Sequence, residues 1–205
     1  AVEPSTTRFY LSSNVFLDGG DPVLAGSRSV PGLAAGAASS GTTAVVLPTG
    51  ISPGRYYLIA KADADDAAIE TNENNNHALR AITTGPDLRV STLSVAYTLT
   101  AGSSVPVSDT VTNQGAEAAG ASTTRFYLSD NVFFDAGDML LSGERAVPAV
   151  AAASSSTGTT LVTIPAGTPP GRYYLFGQAD SDGVVDESYE TNNASLRFVQ
   201  VEAGS

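Results

Sequence analysis

The sequence predicts an all-β protein built of tandem immunoglobulin-like or fibronectin-like antiparallel β-sandwiches, and three observations lead there. Short runs rich in Val, Thr, Tyr and Phe alternate apolar and polar residues, which is the period of a half-buried strand. Clusters of Gly, Pro, Asn and Asp separate these runs, and no stretch keeps a helical period long enough to compete. The pattern also occurs twice: TTRFYLSSNVFLDGGD at 6–21 returns as TTRFYLSDNVFFDAGD at 123–138, so that Arg8 falls on Arg125, an offset of 117 residues. A period of that length exceeds the roughly 20–50 residues of solenoid units and fits whole domains in tandem.

In the second copy the runs place strands at 88–95, 105–112, 124–129, 139–147, 159–165, 171–179 and 194–201. Seven strands match the count of an immunoglobulin-like sandwich. Tyr173 and Tyr174 follow Pro170 and Gly171, where such sandwiches often carry a corner tyrosine. Adjacent side chains alternate across a sheet, so one ring should face the core and its neighbour solvent. Tyr56 and Tyr57 repeat the arrangement in the first copy. The Ala- and Ser-rich stretches 32–41 and 149–158 occupy equivalent places and read as long loops or weak edge strands. Asn75–Asn76 and Asn192–Asn193 read as turns into the last strand of each copy.

The leader at 86–122 supplies two strands that the first copy lacks, since only AVEPS precedes its TTRFYLS. The expected division is therefore an incomplete sandwich at 1–85 and a complete one at 86–205. A sheet without those strands has an open edge and an uncovered apolar face. Either residues 1–85 are a fragment of a longer array, or another chain donates the strands and the open edge self-associates. A short linker at 83–87 should restrict the angle between domains. No signal peptide is visible, but a chain that starts inside a domain gives no information on export.

Composition excludes several functions. Ten Lys and Arg against 21 Asp and Glu give a net charge of −11, which repels phosphate backbones and anionic lipid. No apolar run approaches the roughly 20 residues of a membrane span. Cysteine is absent, removing disulfides, thiol catalysis and cysteine-ligated metals. The single histidine, His77, has Ala194 as its counterpart, so no histidine-centred triad or metal site can be common to both copies. Paired carboxylates can hydrolyse glycosides, but here they cluster in turns, and catalysis is not expected. The sequon at Asn193-Ala194-Ser195 carries little weight on its own.

Two acidic clusters are candidate cation sites. The first is Asn14, Asp18 and Asp21, repeated as Asn131, Asp135 and Asp138 with Asp130 added. The second lies before the last strand: Asp63, Asp65, Asp66, Glu70 and Glu73 in copy one, and Asp180, Asp182, Asp186, Glu187 and Glu190 in copy two. Calcium takes about six to eight hard oxygen ligands, so Ca2+ at either cluster would need carbonyls and water as well. Neither loop fits the EF-hand pattern. The competing reading is that these side chains cap local backbone amides. Sandwich topology also allows Asp18 and Asp21 to oppose Asp180, Asp182 and Glu190 across the linker, as a cation-stiffened joint.

Taken together, PDLRVSTLSV, VSDTVTNQGAEAAG, TTRFYLSDNVFFDAGDMLLSGERAVPAV and IPAGTPPGRYYLFGQADSDGVVDESYETNN resemble the cell-adhesion-related domain found in bacteria, CARDB. The resemblance covers the second copy throughout and the first from Thr6 onward. It implies a non-catalytic β-sandwich module of secreted or surface-attached proteins, placed outside the cell or on its surface. It supplies no ligand residue by residue. The expected role is an adhesion or spacer module that meets a protein or glycan, with no nucleic acid and no membrane insertion. The alternatives are an accessory carbohydrate-binding module of a secreted hydrolase and a strand-complemented assembly module.

Overall fold

The computed structural model describes residues 2–204, and its chain divides into two compact units, 1–83 and 84–205. The first unit has four strands: β1 (Ser5–Ser12), β2 (Val23–Val30), β3 (Gly54–Lys61) and β4 (His77–Thr84). They form one sheet in the order β2-β1-β3-β4. A bulge between Arg8 and Tyr10 interrupts the β1–β2 ladder. Its partner strand bends at Gly26, which has φ +112° and lies against the Ala44 carbonyl, too close for any Cβ.

The second unit has eight strands: β5 (Leu88–Ser94), β6 (Thr98–Thr100), β7 (Ser104–Asn113), β8 (Ser122–Ser129), β9 (Met139–Val147), β10 (Ser154–Thr163), β11 (Gly171–Gln178) and β12 (Ala194–Glu202). Their order is β5-β7-β10-β9-β8-β11-β12-β6. β5, β7 and β10 make one layer, β8, β11, β12 and β6 make the other, and β9 bridges them. This is the layer order of an immunoglobulin-like sandwich. Between the layers lie Leu88, Leu93, Val107, Val111, Phe126, Val162, Ile164, Leu175 and Val199, all withdrawn from solvent.

The strands of β8 show how sequence pattern becomes packing. STTRFYLS buries Ser122, Thr124, Phe126 and Leu128 on one face and leaves Thr123, Arg125 and Tyr127 partly exposed on the other, as a period of two requires. The corner tyrosine behaves as its position predicts. Tyr173 packs against the core and donates its hydroxyl to the Pro169 carbonyl at 3.1 Å. Tyr174 turns outward and meets the Phe198 ring edge-on at 5.7 Å.

Three expectations need correction. The ladder is not wholly antiparallel, because β6 pairs with β12 in parallel. β10 begins at Ser154, inside the stretch expected to be a long loop or a weak edge strand, and it is an interior strand that pairs with β7 along its whole length. Serine and threonine at alternate positions make this possible: Ser104–Thr163, Ser108–Thr159, Thr110–Thr157 and Thr112–Ser155 join hydroxyls across the outer face at 2.7–2.9 Å, and such cross-strand pairs stabilise a sheet. Finally, Pro86 and Asp87 do not behave as free linker. Both are buried. The Pro86 carbonyl accepts from Ser188 N at 2.9 Å, and Asp87 accepts from Gln114 and Asn192 at 3.0 and 2.9 Å.

The offset of 117 residues also holds in three dimensions. The isolated bridge Val2–Leu33 repeats as Ala119–Val150, and Ala25–Val46 repeats as the Ser142–Thr163 pairing of β9 with β10. The first unit differs at the segment equivalent to β10. Residues 37–46, equivalent to β10, form no strand among the described residues. Without an equivalent of β7 to pair with, that segment has no partner for its backbone groups on one side.

Candidate functional site

Both units carry the same loop after their first TTRFYLS strand, and in both it is held from within. Asn14 Oδ1 accepts from Phe16 N at 2.7 Å, and Asn131 Oδ1 accepts from Phe133 N at 2.8 Å. The Ser12 and Ser129 hydroxyls accept from Asn14 N and Asn131 N, each at 3.2 Å. Asp18 Oδ1 accepts from Gly20 N at 2.8 Å while Asp21 Oδ2 accepts from Asp18 N at 2.9 Å. Asp135 and Asp138 repeat these bonds at 2.7 and 3.0 Å. Asp130 accepts from the Asn131 amide at 3.0 Å. These side chains satisfy turn amides, as Asp and Asn do in loops.

The rigid turns hold large apolar side chains out in solvent. Phe16 and Phe133 are each 73% exposed, with Val15 and Val132 beside them. The two tips match because their loop sequences repeat at the offset of 117 residues. Val132, Phe133, Phe134 and Phe176 line an open groove of about 700 Å³ with Gln178, Glu190 and Asn193. The signal lay in NVFL and NVFF, where phenylalanine follows a turn-forming asparagine; the acidic residues around it drew attention instead.

The second cluster is divided among separate tasks. Asp63 and Asp180 are buried at positive φ. Asp63 accepts from Ala67 N and Ala68 N, both at 3.0 Å. Asp180 accepts from Val184 N and Val185 N at 3.3 and 3.0 Å. Asp65 pairs with Arg8 at 2.6 Å and Asp182 with Arg125 at 2.5 Å. Glu73 and Glu190 accept from Glu70 N and Glu187 N at 3.0 and 2.9 Å. Among the described residues, no group of three or more acidic or histidine side chains converges to hold a metal ion.

Glu187 has a different role, which the spacing of carboxylates alone did not disclose. It is buried, accepts from Leu88 N at the start of β5, and accepts from the Asn193 amide at 2.9 Å. Burial pushes its carboxyl up to about 7 from an ordinary 4.5, and the repulsion of Glu190 and Asp180 acts in the same sense. The Leu88 and Asn193 donors oppose the shift by favouring the anion. With Ser188 on Pro86 and Asn192 on Asp87, Glu187 clips the leader to the loop before β12. Asn192 therefore binds the leader and Asn193 braces Glu187, rather than merely turning the chain.

The CARDB family model matches residues 2–80 and again 85–197. The chain belongs to the CARDB family. It carries two tandem copies, and the offset of 117 residues is the CARDB repeat. Solved structures similar to it include a CARDB domain from Pyrococcus furiosus in complex with di-metal ions, at 18% identity and TM-score 0.43, covering 58% of this chain and 96% of that one. A putative cell surface protein domain from Methanosarcina acetivorans matches at 20% identity and TM-score 0.42, covering 59% and 96%. A β-glucosidase from Listeria innocua, solved with glucose, matches at 19% and TM-score 0.39 over 61% of this chain and 17% of that one. No curated protein matches the chain. CARDB is a cell-adhesion-related, non-catalytic domain family, and no helix among the described residues is long and apolar enough to cross a membrane.

Proposed function

We propose that this CARDB pair is a non-catalytic extracellular adhesion module, which also spaces its neighbours, and that it meets a protein or glycan through its loop tips. The observation that supports this is the duplicated display of Phe16 and Phe133, each 73% exposed on a turn fixed by an asparagine. Aromatic side chains presented on rigid turns lose little entropy on binding. The test is adhesion of particles coated with the chain to cells and to a glycan array. Phe16→Ser with Phe133→Ser should cut retention about tenfold or more while leaving the circular dichroism spectrum unchanged. Undiminished retention by the double variant would remove the proposal.

The carbohydrate-binding reading draws on one observation, the groove beside Phe133 and Phe134 with the Gln178 and Asn193 amides at its edge. Selective binding of one glycan class on the array, with no retention on protein surfaces, would favour it. A calcium role for Asp130, Asp135 and Asp138 draws on their shared cleft of about 300 Å³. It would require loop oxygens beyond those already engaged with backbone amides. A melting temperature equal in calcium and in chelator would discard that element.

A further inference from the structure

The outer face of the layer β8, β11, β12 and β6 is aromatic where a solvated sheet face is ordinarily polar. Leu175, Val199 and Val201 point into the core, so alternation along β11 and β12 turns Tyr174, Phe176 and Phe198 outward. Tyr97, just ahead of β6, meets the Phe198 ring at 5.7 Å, and Tyr174 meets it from β11 at 5.7 Å. One pleat further along the ladder, Phe134 covers Phe176 at 5.4 Å and stands edge-on to Tyr127 at 4.9 Å. The rings thus cross four strands, about 14 Å at the usual strand spacing, and end in the groove beside Phe133.

Folding does not account for this face. Copy one carries Leu17, Ile59 and Ala81 in place of Phe134, Phe176 and Phe198, and its strands still pair in the same order, β2-β1-β3-β4. Nor are all the rings withdrawn from water, since Tyr97 is 61% exposed and Phe198 36%. The polar groups of the groove then select an occupant. Asn193, itself buried, gives its amide nitrogen to Glu187, while its Oδ1 is shielded and has no donor among the described residues. Such an acceptor is costly until a donor reaches it. Gln178 and Ser195 line the same groove, and their side chains make no hydrogen bond among the described residues. Glu190 adds negative charge to the groove of a chain whose net charge is −11, which disfavours an anionic ligand.

We infer that the outer face of copy two is a track for a neutral oligosaccharide, running from the groove at Phe133 and Phe134 across Tyr174 and Phe198 to Tyr97. The inference rests on the carbohydrate reading of the groove and extends it to a ligand class and a path. A pyranose lays an apolar C–H face on an aromatic ring and turns a rim of hydroxyls, each both donor and acceptor, to the Gln178 and Asn193 amides and the Ser195 hydroxyl. A β-linked chain whose hydroxyls are all equatorial keeps that apolar face flat, as a row of rings on a sheet requires. A groove of about 700 Å³ is within the range of small-molecule sites.

The experiment titrates the full chain by calorimetry with cellohexaose, xylohexaose and chitohexaose, and with polygalacturonate as an anionic control. Saturable binding of at least one neutral sugar and none of the control is expected, with the Tyr174 and Phe198 ring resonances shifting in NMR spectra. Phe134→Leu with Phe198→Ala brings those positions to the residues of copy one and should weaken binding about tenfold or more at an unchanged melting temperature. Tyr97→Ser, at an exposed position, should weaken it in the same sense. No binding of any neutral sugar, equal binding of the control, undiminished affinity in both variants, or self-association through this face that the variants abolish would each overturn the inference. Its failure is distinct from that of the adhesion module: particle retention lost on Phe16→Ser with Phe133→Ser, without any hexasaccharide bound, upholds the loop tips and removes only the track.

Discussion

Glu187 couples the second domain to pH through one buried carboxyl. Its folded value near 7 lies above the ordinary 4.5, so between those values the folded state holds a proton that the unfolded state has released. Stability from this group is complete below about 4.5 and is lost as pH rises through about 7. Glu187→Gln should flatten the melting temperature of the second domain across that window, measured by calorimetry at half-unit steps. An unchanged slope would contradict the assignment. Asp109 makes a different kind of contribution. Its side chain is fully enclosed and carries a forked bond from Arg145. Asp109→Ala should cost about 3–5 kcal/mol in denaturant unfolding, because the arginine is left charged and largely buried. Single residues were legible in unequal measure. Asx-type capping follows from short-range chemistry, so the roles of Asn14, Asn131, Asp18 and Asp135 could be anticipated. Glu187 could not, because its partner Leu88 is 99 residues away in sequence.

At the scale of elements, Gly143 sets the bend of β9. It has φ +108°, and a Cβ there would stand 2.3 Å from the Leu161 carbonyl. Gly143→Ala should therefore destabilise the second domain by more than about 1 kcal/mol, since both the backbone conformation and the space forbid the methyl. Chemical denaturation of the variant, with a shifted midpoint and unchanged slope, checks this. Most strands were visible from alternation alone, and β9 was placed to the residue. β10 was foreshortened because its first half is serine and threonine, whose strand character appears only when a neighbour offers hydroxyls across the ladder. β6 escaped notice because three residues are too few to show a period. Conversely, 37–46 carries the sequence of a strand and lacks the ladder, so segment type here depends on what lies next to it.

At the scale of the whole molecule, the two copies share a sequence pattern but not the same layers among the described residues. The second encloses a two-layer core, while the first keeps one sheet and leaves Phe9, Leu58 and Ile82 half-covered. Stability should follow this difference. Calorimetry of the full chain should show two transitions, and amide exchange should assign the lower one to residues 2–83. A single transition with uniform protection would contradict it. The duplication made the division into two units readable, because an offset repeat survives surface variation. The clip at Pro86–Leu88 was not readable, since a short Gly-Pro-Asp stretch has the composition of a linker whether or not it is bound.

The hydroxyl pairs across β7 and β10 have a consequence for how this domain meets changing surroundings. Hydroxyls carry no charge near neutrality, and their mutual bonds are insensitive to ionic strength, so that layer should cohere alike in dilute or saline, acid or neutral medium. Any loosening as acidity falls would then begin where the leader is gripped, at Pro86–Leu88 beside Asn113, and spread from that seam along β5 and not through the hydroxyl ladder.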